Sequence, residues 1–274
     1  MQLLRSVTLG QFVPGDSIVH RLDPRARLGI LVVGTVTIFS CHHLAPVVCV
    51  GIATVGAAER AGLSVRWFLS GLRAVALLLA ITLVANVLFA RGGGPSVLMG
   101  GVAISIDALH HGLLMSLRLV CLFLMTSLFT LTTSPIRLTD ALESVLSPLR
   151  LLGVRTDQLS MMLSIALRFI PTLVETTERI LKAQLSRGAR FDEGSLASRS
   201  RAMIPVLVPL FVQAFHAADV LAEAMEARCY RGGEGRTRLV SLRCGAPDLV
   251  AVLLAGLLAI GLRAMDAHPW PEWM

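Results

Sequence analysis

The sequence predicts an all-α membrane protein with about five transmembrane helices. These join amphipathic cytoplasmic helices, two of which are long and cross. Three observations predict this. The chain is 54% hydrophobic and 16% charged, with a mean hydropathy of +0.72; a soluble domain is about 45–50% apolar and about 25% charged. Long apolar stretches recur along it. Its charge is uneven: 134–244 holds 15 of the 25 Lys and Arg and 11 of the 18 Asp and Glu.

The net charge of +7 does not call for nucleic acid, because membrane proteins gather Lys and Arg on the cytoplasmic side. Cys41, Cys49, Cys121, Cys229 and Cys244 are scattered, with no C-x-x-C pair, so neither a zinc ribbon nor a redox dithiol is indicated. Met1–Asp23 lacks the apolar run of about 7–15 residues of a secretory signal. The first span is therefore expected to direct insertion.

The polar leader carries Arg5, Arg21, Arg25 and Arg27, with turn chemistry at Pro14-Gly15-Asp16 and Asp23-Pro24. Leu28–Ala58 is nearly continuous apolar sequence. As one helix it would run about 46 Å, too long for a hydrocarbon core of about 30 Å. It is read as two short spans with an outer turn at His42–Pro46. Glu59–Arg73 is a cytoplasmic loop with Arg60, Arg66 and Arg73, and Trp67 as its interface anchor. Leu72–Ala90 is a full span ended by Arg91-Gly92-Gly93-Gly94-Pro95. Ser96–His111 is a mixed outer segment, and Gly112–Thr132 a further span. Residues 1–133 thus form a leader and four spans, 134–246 a cytoplasmic coupling-helix region, and 247–274 a last span with an outer tail containing Trp270 and Trp273. Twenty-two of the 25 basic residues fall on segments read as cytoplasmic, leaving Arg91, Arg118 and Arg263. That asymmetry predicts a cell-membrane protein with its N-terminus inside and its C-terminus outside.

In the charged region, Ile136–Leu152 reads as a short amphipathic helix broken at Pro148 and Gly153. Two long helices follow, Asp157–Phe191 with a kink at Pro171 and Leu196–Arg231, lying on or partly in the bilayer. The first carries the supportive pair Glu175 and Arg179. In the second, Ala214, Ala217, Ala218, Leu221 and Ala224 make a stripe of mostly small residues, a device that lets helix backbones cross closely. Each helix closes on a small-residue–arginine–small-residue triplet: Ser186-Arg187-Gly188 and Ala227-Arg228-Cys229. A cation suits a helix C-terminus, and Gly188 and Gly232-Gly233 suit C-caps. A guanidinium between small neighbours can enter a partner's cleft and bind it through two hydrogen bonds. The same arginines can instead be solvated or bind headgroups, and the residues alone leave both readings open.

Several stretches resemble the T component of energy-coupling-factor (ECF) transporters, over nearly the whole chain. The leader pieces are Gln11-Phe12-Val13-Pro14-Gly15-Asp16-Ser17 and His20-Arg21-Leu22-Asp23-Pro24-Arg25. Leu167-Arg168-Phe169-Ile170-Pro171-Thr172-Leu173 is similar to that family's first coupling helix. Ala183–Ala189 and Ala224–Gly233 resemble its two Ala-Arg-Ser/Gly motifs, with Ser186 in place of the first alanine and Cys229 in place of the last Gly or Ser. The resemblance implies the scaffold of an ABC-type importer for vitamins or transition-metal ions. Its partners are two cytoplasmic ATPase subunits and a substrate-capture membrane protein. The residues implied to dock the ATPases are Ser186, Arg187, Gly188, Ala227, Arg228 and Cys229. ATP would bind to the partners, and this chain would carry no cofactor and no catalytic site.

Other candidates are weaker. His42-His43 and His110-His111 fall on the expected outer side near Asp107, but adjacent side chains on a helix diverge and chelate poorly; they read as interfacial. Arg118 is read as snorkelling to the outer interface, with Asn86 as its candidate partner. A lipid-binding scaffold and an intramembrane enzyme are the rival classes. The spans hold almost no convergent acids, histidines or nucleophiles, and neither a Walker A nor an H-E-x-x-H motif occurs.

Overall fold

The structure is a computed structural model describing residues 12–13, 15–64, 71–89, 96–99, 102–148, 153, 155–191, 195–232 and 244–266. The expectations for residues 1–11 and Pro14, Arg66 and Trp67, Arg91–Pro95, Gly233, Trp270 and Trp273 lie outside these.

A one-turn helix α1 (Ile18–Arg21) leads into α2 (Pro24–Ser40) and α3 (Leu44–Arg60). Asp23 caps α2 by accepting from the Arg25 amide at 2.9 Å, with Pro24 at the first helical position. The break after α2 is Cys41–His43, shorter than the expected His42–Pro46 turn. Pro46 falls instead in the first turn of α3, where a missing N–H costs little. Next come α4 (Leu72–Phe89), strands β1 (Ser96–Met99) and β2 (Val102–Ser105), and α5 (Ile106–Thr132). The antiparallel strands, Ser96 opposite Ser105, are the departure from an otherwise helical chain. The signal was Gly100-Gly101 between apolar runs, a two-residue hairpin pattern. α6 (Pro135–Leu146), α7 (Thr156–Ser186), α8 (Leu196–Ala227) and α9 (Ala246–Asp266) complete the order.

All five expected spans are helices: α2, α3, α4, α5 and α9. Among the described residues, four helices are long and apolar enough to cross a membrane: Ala108–Thr132 within α5, then α7, α8 and α9, with Val75–Val87 of α4 a shorter apolar one. α7 and α8 therefore have the length and composition of spans, although the sequence places them at the surface.

The described residues form two compact units, 12–141 with 244–266, and 142–232. In the first, α5 packs on α2, α3 and α4, and α9 packs on α2 and α3. One core joins Ile38, Cys41, Val47, Val50, Leu114, Cys121 and Leu262; a second joins Ala58, Ala61, Leu63, Leu124 and Leu131.

What fixes this unit is the treatment of helix ends. The first amides and last carbonyls of a helix have no partner within it, and lipid offers none. Arg27 at the start of α2 donates to the Thr132 carbonyl at the end of α5, to Thr133 Oγ1 at 3.1 Å and to the Leu22 carbonyl at 2.9 Å. Arg118 of α5 donates in return to the Cys41 carbonyl at the end of α2. Arg118 is 8% exposed, and its guanidinium is taken up by this carbonyl in the turn between α2 and α3. Asn86 donates to the Thr82 carbonyl at 2.9 Å and is not its hydrogen-bond partner. Two aspartates of α9 serve amides. Buried Asp248 accepts from the Asp23 amide at 2.6 Å and the Gly245 amide at 2.7 Å. Asp266 accepts from the amides of His42 and His43 at 3.0 and 2.9 Å, and Arg263 donates to Ser40 Oγ. The leader closes on the other end, where α5 finishes: the Val13 amide donates to the Leu131 carbonyl at 2.9 Å, and buried His20 lies 2.7 Å from Ser17 Oγ and 3.1 Å from the Val13 carbonyl. A Cβ on Gly15 would stand 3.0 Å from the His20 ring, so any other residue here would press the ring aside.

Asp248→Ala leaves two amides of the first unit without their acceptor. It is expected to lower stability by about 2–3 kcal/mol, read as a lower melting temperature in detergent. An unchanged melting temperature would show that this bond does not hold the ends together.

Candidate functional site

α7 and α8 form the second unit and pack against each other. α8 opens on Ser195, which accepts from the Ser198 amide at 3.4 Å. One bond between the two helices comes from a residue the sequence did not single out. Gln184 Nε2 donates to the Pro205 carbonyl at 3.4 Å. Pro209 stands four residues after Pro205 inside α8 and has no N–H to give that carbonyl. Gln184 supplies the missing donor from the neighbouring helix. A proline at i+4 of a carbonyl in an apolar helix was the available signal; its partner lay on the other helix.

On α8, Ala202, Val206, Leu210, Ala214, Ala217, Leu221 and Met225 recur at three- and four-residue spacing and are buried or half-buried. Of the expected crossing stripe, Ala214, Ala217 and Leu221 lie on this face, whereas Ala218 and Ala224 are exposed. Glu175 and Arg179 approach to 3.8 Å on the exposed side of α7, a pair worth a few tenths of a kcal/mol.

Both helices end earlier than expected, at Ser186 instead of Phe191 and at Ala227 instead of Arg231. The ends are alike. Arg187 is the C-cap of α7, with φ −86° and ψ 6°; Arg228 is the C-cap of α8, with φ −91° and ψ 13°. After Arg187, Gly188 takes φ +85°. Its amide bonds the Leu185 carbonyl at 2.9 Å, and the Ala189 amide bonds the Gln184 carbonyl at 3.0 Å. After Arg228, Cys229 takes φ +57°, the one positive value at a non-glycine among the described residues. Its amide bonds the Glu226 carbonyl at 2.8 Å, and the Tyr230 amide bonds the Met225 carbonyl at 3.0 Å. Each is a Schellman motif, which satisfies two of the last carbonyls and ends the helix sharply. The sequence pointed to Gly232-Gly233 for the second end because glycine takes this conformation without strain; Cys229 takes it instead.

All six triplet residues are exposed. Neither Arg187 nor Arg228 makes a side-chain hydrogen bond or ion pair among the described residues. Each presents five N–H donors beside the partly negative end of its helix. A carboxylate or a set of carbonyls on a partner can meet such a tip. The histidines do not assemble into a site: His110 and His111 stack edge-on at 6.2 Å, and His42 pairs with Asp266. Among the described residues, no three of His, Cys, Asp and Glu are placed to hold a metal ion.

Fold and site define a multi-pass helical membrane protein with two long helices tipped by exposed cations. A family model described as "Cobalt transport protein" (CbiQ) matches residues 15–239. Three relatives carry the name "Energy-coupling factor transporter transmembrane protein EcfT". Those of Thermosediminibacter oceani and Heliobacterium modesticaldum are each 45% identical, over 94% of this chain and 97% of their own length. That of Acidaminococcus fermentans is 43% identical over 97% of both. The chain belongs to this family of transporter transmembrane proteins, the T components of ECF transporters.

Gln184→Leu removes the donor that α8 lacks at Pro205. It is expected to cost about 1 kcal/mol, less than Asp248→Ala because the pair is more exposed, again measured by melting in detergent. A loss equal to that of Asp248→Ala would mean the bond is worth more than its exposure allows.

Proposed function

We propose that this chain is the non-catalytic coupling subunit of an ECF-type ABC importer. Two cytoplasmic ATPase subunits receive Arg187 and Arg228, one each, and bind the ATP. A separate membrane protein captures the substrate, a vitamin or a transition-metal ion. When the ATPases close, they draw the ends of α7 and α8 together, and the packed pair passes the movement to the capture subunit. The N-terminus lies in the cytoplasm and the C-terminus outside, in keeping with the basic-residue asymmetry.

One observation carries this reading: two long helices end in the same backbone motif, each with an exposed arginine at the cap and no partner for it within the described chain. Matched unpaired cations suit two copies of one kind of docking groove. Arginine is favoured at such contacts because its planar fork meets a carboxylate through two parallel hydrogen bonds. The rival reading, a scaffold on anionic lipid, uses the same cations as point charges and would accept lysine equally.

Arg187→Glu or Arg228→Glu is expected to cost about 2 kcal/mol or more of docking energy, as for a central arginine anchor. ATP-dependent uptake falls while membrane insertion remains normal, and the double variant no longer co-purifies with ATPases. Wild-type uptake in both single variants defeats the docking reading. Vesicle binding that weakens with salt, with no ATPase partners, points to the lipid scaffold.

A further inference from the structure

The shared geometry of the two tips gives a reason for the last residue of each triplet. A Schellman end needs its C′ residue in the left-handed region; glycine enters it freely and a residue with a Cβ does not. Gly188 and Cys229 occupy that position. Side-chain space inside the chain does not require a small residue there. A Cβ on Gly188 would meet nothing within 4 Å, and Cys229 is exposed. Three residues beyond Arg228, Arg231-Gly232 repeats the arginine–C′ order of Arg187-Gly188, with Gly232 already at φ +89°. The end at Arg228 therefore competes with a helix one turn longer, capped at Arg231, which would carry Arg228 into the helix body.

We infer that Gly188 and Cys229 are positioning residues: the left-handed backbone they adopt, more than the size of their side chains, sets the docking arginines at the caps. The second tip, which relies on Cys229, is consequently the less firmly set of the two. This rests on the docking reading above. It makes the two ATPase contacts unequal in a chain whose tips otherwise match. A Cβ in the left-handed region lowers the population of that conformation by a factor of about five to thirty, which is the margin glycine would restore.

The test uses the full chain in lipid nanodiscs, titrated with the ATPase pair that co-purifies with it. Cys229→Gly is expected to tighten binding about fivefold, and Gly188→Ala to weaken it about fivefold although no atom stands in its way. Asn and Ala at position 229 separate backbone from size, because asparagine is larger than alanine yet more at ease in the left-handed region. Cys229→Asn is expected to bind better than Cys229→Ala, and Cys229→Val worst. Affinity that falls with side-chain size, or that is unmoved by Cys229→Gly, overturns the inference. So does a shift in melting temperature with no change in affinity. Arg228→Glu is the control: if it binds like wild type, the docking reading fails and this inference fails with it. If it abolishes binding while the series at 229 follows size, docking stands and the positioning role falls.

Discussion

The structure depends on closing helix ends where water cannot. Backbone groups at a helix terminus left bare in hydrocarbon cost several kcal/mol each. This chain closes them with charged side chains borrowed from other helices. α2 and α5 exchange arginines: Arg27 reaches the end of α5 and Arg118 reaches the end of α2. α9 contributes an aspartate near each of its own ends, Asp248 to the start of α2 and Asp266 to the start of α3. Cations go to carbonyls and anions to amides, as the helix dipole favours. The charges in this unit thus serve the backbone, which is why buried arginines and aspartates can sit among apolar helices.

The second unit handles its ends differently. α7 and α8 finish on Schellman motifs that use only their own backbone. Their arginines are therefore not consumed in capping, unlike Arg27 and Arg118. A guanidinium that caps a helix is spoken for; one that sits on a cap already closed by amides is available to a partner. This contrast, drawn within one chain, separates arginines that close helix ends from arginines left exposed at ends already closed.

Much of this was legible in the sequence. Five apolar stretches became five helices, and the break within 28–58 came at the histidines, because hydropathy and helix length are local properties. The arginines were picked out by their place between small residues near helix ends. Gly188 was read as the cap of α7 and serves as one; the end of α8 was missed. Cys229 in a left-handed conformation runs against intrinsic preference, and Gly232-Gly233 offered the easier stop a few residues later. The partner of Arg118 was taken to be Asn86 because the Cys41 carbonyl that occupies it lies 77 positions away. Gln184 was overlooked for the same kind of reason, since a carbonyl freed by Pro209 has no visible claimant until the two helices are packed. The hairpin at 96–105 was within reach, in a glycine pair flanked by apolar residues.

The mutual exchange between α2 and α5 bears on how the protein is made. Arg118 is synthesised long after α2 has left the ribosome, so for that interval the carbonyl end of α2 lacks its closure. α2 then has to wait, shielded by the insertion machinery or by its own hairpin mate α3, until α5 arrives. Closure of the first unit is thereby deferred first to α5, and then to α9, whose Asp248 and Asp266 serve the starts of α2 and α3.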